Sequence, residues 1–437
     1  MTPEDRPTVG AARAGRLSLS NALLLTLLAV WVVWWVVSVR DDVLRFGKRT
    51  WVGPLPFLAG DFRSHVDHFV RIKAAGVDPY GLKKDYFASR FPYPPMVPRL
   101  FAWTPAFEPR VAAAVWLAGQ AGILTLGAWS AWRSRRELRL GPFSWAAIAV
   151  ALFYSTPAVF SMERGQVDPL SIAALLGVAW LARRNETSSQ LAAGGLLGLT
   201  AWLKYYPGFA VVGLLALRRW KAAAAFVVVA SAVGLYDRTD LLRSFENARS
   251  FAAESRKEPI VHGVSHSLVS NWRVIPVVRQ VRVLRQIPAN LAAAAIHLPL
   301  AAVVSLKVRG SRDPGRLLAP WLLWLSAVAT FGMPYALDYN LLTLLIAALS
   351  VWDRRDSVWV HMAMGLLCLW WQPFSLNVGG EVLLAAKLAG LFAVGAMLVN
   401  RSREADALPI PSDLRFDPAE AVARSRPSRH APTNEPA

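Results

Sequence analysis

The chain has 437 residues, of which 54% are hydrophobic and 18% charged, and its net charge is +19. The apolar residues form long blocks, which is typical of a polytopic membrane protein and excludes an ordinary soluble domain. In a soluble protein this charge would suggest nucleic acid, but here anionic lipid headgroups and lipid phosphates are the expected partners. The single cysteine, Cys368, lies within an apolar block and excludes an intramolecular disulfide.

Blocks of about 17 to 20 apolar residues predict membrane-spanning helices. We therefore predict an all-α polytopic integral membrane protein with about 12 spans. Two short blocks meet at Pro207, where one broken helix and two short helices are both compatible with the sequence. The candidate spans lie near residues 20–39, 111–132, 142–160, 169–182, 190–203, 206–217, 222–236, 288–306, 317–333, 339–352, 358–373 and 381–400.

The distribution of Lys and Arg predicts the orientation of these spans. One set of short connections is rich in both residues, whereas the alternate set holds only Arg164 and Lys204. The basic side is expected to be cytoplasmic, with both termini on that side. The predicted regions are a cytoplasmic N-terminus at 1–19, a membrane domain at 20–400, and a disordered cytoplasmic tail at 401–437 that is rich in Pro, Ser, Ala and Arg.

Two long connections fall on the predicted outer side. The first outer loop covers about residues 40–110, and in it Val66, Phe69 and Val70 recur at helical spacing. This spacing predicts a short amphipathic helix on the membrane surface. The second outer loop covers about residues 237–287 and contains GVSHSLVSNWRVIPVVRQVRVLRQ, which predicts another basic amphipathic surface stretch.

Two carboxylates of the first outer loop differ in their local partners. Asp67 lies four residues from both Arg63 and Arg71, which favours an ion pair on the helix surface. Asp61 precedes the predicted helix and has no basic residue at that spacing, so its simplest structural role is an N-cap. Prolines farther along this loop favour turns that return the chain to the membrane. The functional alternative is that Tyr80 and Tyr93 of this segment are aromatic residues that face a sugar.

The connection at residues 163–169, ERGQVDP, places several polar groups between apolar helices, where they need partners or water. Arg164 lies here and Lys204 lies in the next outer connection, so both are candidate ligands of a phosphate. Mutual pairing of the polar groups is the structural alternative. Gln120 and His297 lie inside spans and are expected to form hydrogen bonds between helices.

Several nucleotide and metal motifs are absent from the sequence. It contains no GxxxxGK[ST], no Rossmann glycine fingerprint, no HExxH and no Asp-x-Asp pair. A reaction at the outer face would therefore need an activated substrate delivered by the membrane.

Taken together, the motifs resemble glycosyltransferase family 87 over about residues 20–400. Three departures, Ser64, His65 and Val66, occupy positions where family members often have an aromatic residue. The resemblance rests on Asp61-Phe62-Arg63, GVDPYG, YPP at 93–95, ERGQVDPL at 163–170, GGLLGLTAWLKYYP at 194–207 followed by LRRWKAA, and SHSL at 265–268.

The resemblance implies a C-superfamily membrane enzyme that takes a sugar, mannose before other hexoses or pentoses, from a polyprenyl-phosphate donor. The acceptor would be a glycolipid or polysaccharide of the cell envelope, and transfer would occur with inversion on the outer face of the cytoplasmic membrane. Asp61 would be the general base, and Lys204 and Arg164 would bind the donor phosphate. No metal, other cofactor or nucleic acid is expected. The side chains expected to contact substrate are Gln166, Asp168, Tyr205 and Tyr93.

Two alternatives come from other functional classes. A transporter or lipid flippase usually has charges at mid-membrane depth and internal repeats, and this sequence shows neither clearly. A non-catalytic subunit of an envelope assembly would have Asp61 buried in an ion pair away from any groove.

Overall fold

A computed structural model describes residues 59–80, 93–141, 145–255, 267–333, 336, 338–368 and 380–407. The predicted span near residues 20–39, the predicted cytoplasmic N-terminus and the part of the tail after residue 407 lie outside the described residues.

All regular elements in the described part of the chain are helical, which confirms the all-α prediction. Helix α1 begins with a π-helical segment, Phe62–Asp67, and continues as His68–Ala74. The later helices are α2 Met96–Leu100, α3 Pro109–Glu137, α4 Trp145–Tyr154, α5 Thr156–Arg164, α6 Asp168–Ala182, α7 Thr187–Thr200, α8 Val211–Ala216, α9 Trp220–Tyr236, α10 Arg238–Ser255, α11 Leu268–Asn271, α12 Pro276–Gln280, α13 Arg282–Gln286, α14 Ala289–Arg309, α15 Leu318–Phe331, α16 Leu342–Val351, α17 Val358–Cys368 and α18 Gly380–Ala407.

Three described helices are long and apolar enough to cross a membrane: α3, α14 and the Leu384–Glu404 part of α18. Helices α9 and α10 add a fourth candidate if they are counted together, although they meet at a bend of 91°. The chain is thus a membrane protein, but the count of about 12 spans is not confirmed, because other apolar segments form helices of only 10–17 residues. The block at 142–160, for example, is divided into α4 and α5 before Pro157.

Helices α15 and α16 form the centre of the protein. Trp321 and Trp324 on α15 are 0% exposed, and every residue of α16 is buried. These two indoles each have a hydrogen-bond partner: Trp321 Nε1 donates to Ser305 Oγ at 3.2 Å, and Trp324 Nε1 donates to the Leu391 carbonyl at 3.0 Å. Helices that are apolar around their whole circumference are expected at such a position.

Glycines bring α7 and α9 into close contact. A Cβ atom on Gly194 would lie 1.9 Å from the carbonyl oxygen of Ala222, so no larger residue fits there. Gly198 similarly faces the backbone of Phe226 and Ala230. Small residues allow such backbone approach between membrane helices.

A buried ionic network joins α18 to the connection between α16 and α17. Arg401 donates to the Val351 carbonyl at 3.0 Å and pairs with Asp356 at 2.6 Å. The nearby Arg135 of α3 donates to the Gly141 carbonyl at 3.0 Å. Helix α18 continues to Ala407, beyond residue 401 where the disordered tail was predicted to start, and Arg401 is only 3% exposed.

Protein, not lipid, covers the apolar side of α1. Its residues Phe62, Val66 and Phe69 are buried in a cluster with Phe101 and Trp116. The helix was correctly predicted, as was the pairing of Asp67 with Arg71 at 2.9 Å, but Asp67 is buried and does not lie on the helix surface as expected. Its expected contact with the membrane surface through these residues was wrong, since the start of α3 supplies an aromatic surface that the local periodicity does not reveal.

Helix α10 of the second outer loop lies against the first outer loop through ionic contacts. Lys73 and Asp240 approach within 3.5 Å, Arg99 pairs with Asp237, and Arg243 pairs with Asp78. This helix was not predicted from the sequence. The predicted basic stretch at 274–285 instead contains the short helices α12 and α13, whose exposed residues include Val277, Val283, Arg279, Arg282 and Arg285.

Candidate active site

The candidate site forms where the start of α1 meets the turn between α5 and α6. Gly165 ends α5 with φ +63°, in the left-handed region. A Cβ atom at this position would lie 2.7 Å from Phe62 Cβ and 2.8 Å from Ala59 Cα. Glycine therefore permits both the turn and the close approach that brings Asp61 to Arg164.

We predict that Gly165→Ala destabilises the protein by about 2–4 kcal/mol, because a left-handed non-glycine residue and an overfilled contact each carry a cost. The measurement is the midpoint of thermal unfolding in detergent, followed by tryptophan fluorescence. Gly76→Ala is a matched control, since Gly76 also has positive φ but no atom lies within 4 Å of its added Cβ. Equal losses in the two variants would contradict the steric part of the prediction.

Both carboxylate oxygens of Asp61 accept hydrogen bonds from the residues around Gly165. Oδ1 accepts from Arg164 Nη1 at 3.1 Å, and Oδ2 accepts from Gln166 Nε2. The side chain makes no capping bond to α1, so the N-cap interpretation was wrong. The ion pair is partly open, because the Asp61 side chain is 20% exposed and that of Arg164 is 43% exposed.

Gln166 links Asp61 to Lys204. Its Oε1 accepts from the Tyr93 hydroxyl at 3.2 Å and from Lys204 Nζ at 3.4 Å. Two donors on this oxygen direct the amide nitrogen toward Asp61. Burial, with a further contribution from the Asp61 carboxylate, raises the pKa of Tyr93 well above its usual value, so the phenol remains a donor.

Asp168, the first residue of α6, is fully buried and holds Lys204 from the other side. Lys204 Nζ lies 3.4 Å from Asp168 Oδ2, while the Tyr206 hydroxyl donates to Oδ1 at 2.5 Å. The Asn340 amide also donates to Oδ1. A carboxylate at a helix N-terminus is further favoured by the helix dipole.

Lys204 is enclosed by aromatic rings as well as by Asp168. Its Nζ lies 5.1 Å from the centroid of the Tyr93 ring and 5.4 Å from that of Tyr339. Both distances are within the range of cation–π attraction. Its side chain is 17% exposed, so this cation is fixed in position but still accessible.

The predicted site residues thus separate into two groups. Asp61, Arg164, Gln166, Asp168, Lys204 and Tyr93 form one connected cluster. Tyr205 lies elsewhere: its ring stacks on Phe245 of α10 at 4.8 Å, and its hydroxyl contacts Ser244 at 3.3 Å. Gln120, expected to form a hydrogen bond between helices, donates instead to the Gln166 carbonyl in the turn between α5 and α6, at 3.0 Å.

Tyr206 and Asn340 complete the shell around Asp168 and were not predicted from the sequence. Tyr206 lies two residues after Lys204, and this proximity was the available signal. Within the described residues no group of three His, Cys, Asp or Glu side chains has the arrangement of a metal site.

His65 lies beside Asp61 and gives the site a pH dependence. Burial lowers the pKa of His65 from its ordinary value of 6.5, although the Asp61 carboxylate acts in the opposite direction. Protonation therefore favours the unfolded chain, so the contribution of His65 to stability is constant above pH 6.5 and is lost as the pH falls below it.

We expect His65→Gln to show a smaller acid-induced fall in unfolding temperature than the wild type. The measurement compares thermal unfolding at a pH of about 7.5 and of about 5.5, on either side of the histidine range. His68→Gln is the control, because it replaces a neighbouring histidine on the same helix. An identical acid dependence in the wild type and His65→Gln would contradict the assignment.

Residues 91–251 match the family model described as glycosyltransferase family 87. The match covers about a third of the chain and supports the resemblance to this family. The family 87 match includes most of the cluster, from Tyr93 through Arg164, Gln166 and Asp168 to Lys204, and it excludes Asp61. The chain is accordingly an enzyme of the glycosyltransferase class. Comparisons with curated proteins and with solved structures found no match.

Proposed function

We propose that this family 87 glycosyltransferase moves a sugar, mannose as the first candidate, from polyprenyl phosphate to a glycolipid or polysaccharide acceptor. The site would face the outer side of the cytoplasmic membrane, with residues 20–400 as the membrane domain and both termini cytoplasmic. One observation carries the proposal: a carboxylate and two cations lie in a single hydrogen-bonded cluster, Asp61 with Arg164 on one side and Lys204 through Gln166 on the other.

Asp61 is the proposed general base. It would take the proton of the acceptor hydroxyl as that oxygen attacks the anomeric carbon, opposite the departing phosphate, so that the configuration inverts. Its partial exposure supports this role, since an acceptor must reach the carboxylate.

Lys204 and Arg164 are the proposed ligands of the donor phosphate. Cations that are already positioned where negative charge develops on the leaving group stabilise the transition state. Lys204 is held by Asp168 and Gln166 before any substrate arrives, which satisfies this requirement.

The remaining predicted contacts have different support. Gln166 and Tyr93 lie next to both Lys204 and the base, so they are the proposed contacts for sugar hydroxyls. Asp168 is fully buried among its three partners and is better suited to holding Lys204 than to binding sugar directly. Tyr205, which packs on α10, would contact only a more distant part of a substrate.

The test is transfer of radiolabelled mannose from polyprenyl-phosphate-mannose to a membrane glycolipid extract by the purified protein. Transfer supports the donor class and the sugar together. Polyprenyl phosphates carrying other hexoses or a pentose are assayed in parallel; activity with these alone would replace mannose but retain the donor class. No transfer from any polyprenyl phosphate would contradict the proposed donor, and a vesicle assay for lipid translocation would then test the flippase alternative.

A further inference from the structure

Arg164 cannot pair fully with both Asp61 and the donor phosphate at the same time. In the structure it pairs with Asp61, yet the proposed reaction needs it at the donor phosphate. With Arg164 on Oδ1 and Gln166 on Oδ2, each oxygen of Asp61 already accepts a hydrogen bond. A carboxylate that is paired with a cation receives a proton less readily than an unpaired one, because the cation stabilises its ionised form.

The two cations of the cluster are held very differently. Lys204 is 17% exposed and faces the fully buried carboxylate of Asp168. Arg164 is 43% exposed, lies over the Phe160 ring at 5.4 Å, and faces a carboxylate that is itself partly exposed. Exposed ion pairs contribute little net stability, whereas removing a partner from a buried charge is costly. Arg164 is therefore the cation that can change partner.

Gln166 can hold Asp61 in position while Arg164 changes partner. Because its amide is oriented by Tyr93 and Lys204, its nitrogen continues to donate to Asp61 Oδ2 after Arg164 has left. Asp61 would keep its position while Oδ1 becomes free.

We propose that the donor phosphate and Asp61 compete for Arg164, so that donor binding releases the base. This rests on the proposed function and adds an order to it: donor first, acceptor second. A phosphate offers the planar guanidinium two oxygens at once, which makes it a strong competitor.

After the exchange the acceptor oxygen bonds to the anomeric carbon, its proton passes to Asp61 Oδ1, and the bond from that carbon to the phosphate oxygen breaks. The electron pair of the broken bond remains on the polyprenyl phosphate, beside Arg164 and Lys204. Without donor, Arg164 returns to Asp61.

A double-mutant cycle on ligand binding tests the competition. The probe is a short-chain polyprenyl phosphate without sugar, and its dissociation constant is measured for the full-length protein in nanodiscs. The four proteins are the wild type, Asp61→Asn, Arg164→Gln and the double variant. We expect Asp61→Asn to bind about two- to fivefold more tightly than the wild type, the range of an exposed ion pair. In the Arg164→Gln background the same change should have no effect, because no shared cation remains.

Simple repulsion between Asp61 and the phosphate predicts a different pattern. It would make Asp61→Asn bind more tightly in both backgrounds, and that result would overturn the competition while leaving the donor class intact. Unchanged binding in Asp61→Asn would overturn it too. If the wild type does not bind the probe, the proposed donor fails together with the exchange. Asp78→Asn serves as the matched control, since it removes a carboxylate from the same loop whose partner is Arg243; equal tightening there would also count against competition.

Discussion

Asp61→Asn is expected to lower the rate of sugar transfer by about 10²- to 10⁴-fold, the usual contribution of a general base. Asparagine has the same shape, but its single amide oxygen can accept from only one of Arg164 and Gln166 in this geometry, and the amide cannot take up the acceptor's proton at neutral pH. The measurement is the initial rate of radiolabel transfer at saturating donor, together with the unfolding temperature of the variant.

The control for this prediction is Asp78→Asn. Asp78 lies in the same outer loop and is 45% exposed. It pairs with Arg243, which is not a member of the cluster. We expect its transfer rate to remain close to that of the wild type. Full activity of a folded Asp61→Asn protein would exclude Asp61 as the base while leaving the family unaffected.

Asp168→Ala is expected to lower the free energy of unfolding by about 3–5 kcal/mol, the cost of removing one partner from a buried ion pair. The change leaves Lys204 without its carboxylate and leaves the hydroxyl of Tyr206 and the amide of Asn340 without their common acceptor. Denaturant or thermal unfolding of the purified protein measures the loss.

Asp168→Asn separates charge from hydrogen bonding at the same position. Its amide oxygen still accepts from Tyr206 and Asn340, so we expect a smaller loss of stability than with alanine, but a weaker hold on Lys204 and slower transfer. If alanine and asparagine were equally mild, the buried carboxylate would not be the anchor of Lys204.

Sequence patterns with a local physical cause were predicted well. The spacing of Val66, Phe69 and Val70 identified α1, and the spacing of Asp67 and Arg71 identified their ion pair. In each case the residues that determine the feature are within a few positions of one another.

Features that depend on distant partners could not be predicted in this way. The N-cap interpretation of Asp61 failed because its actual partners come from the turn after α5. Likewise, the orientation of Tyr205 depends on α10, and the burial of α1 depends on aromatics near the start of α3. The residues of the cluster were chosen largely from the family resemblance, and their roles in catalysis remain predictions.

The separation of the cluster residues along the chain affects when the site can form. Asp61 bonds to a residue 103 positions later, and Asp168 bonds to Asn340, a further 172 positions beyond it. During synthesis the polar contacts of Asp168 therefore stay incomplete until the segment just before α16 has been inserted. A truncated or partly inserted chain would have Asp168 without Asn340. Catalytic competence would thus be acquired late in biogenesis, which would keep incomplete chains from consuming the donor.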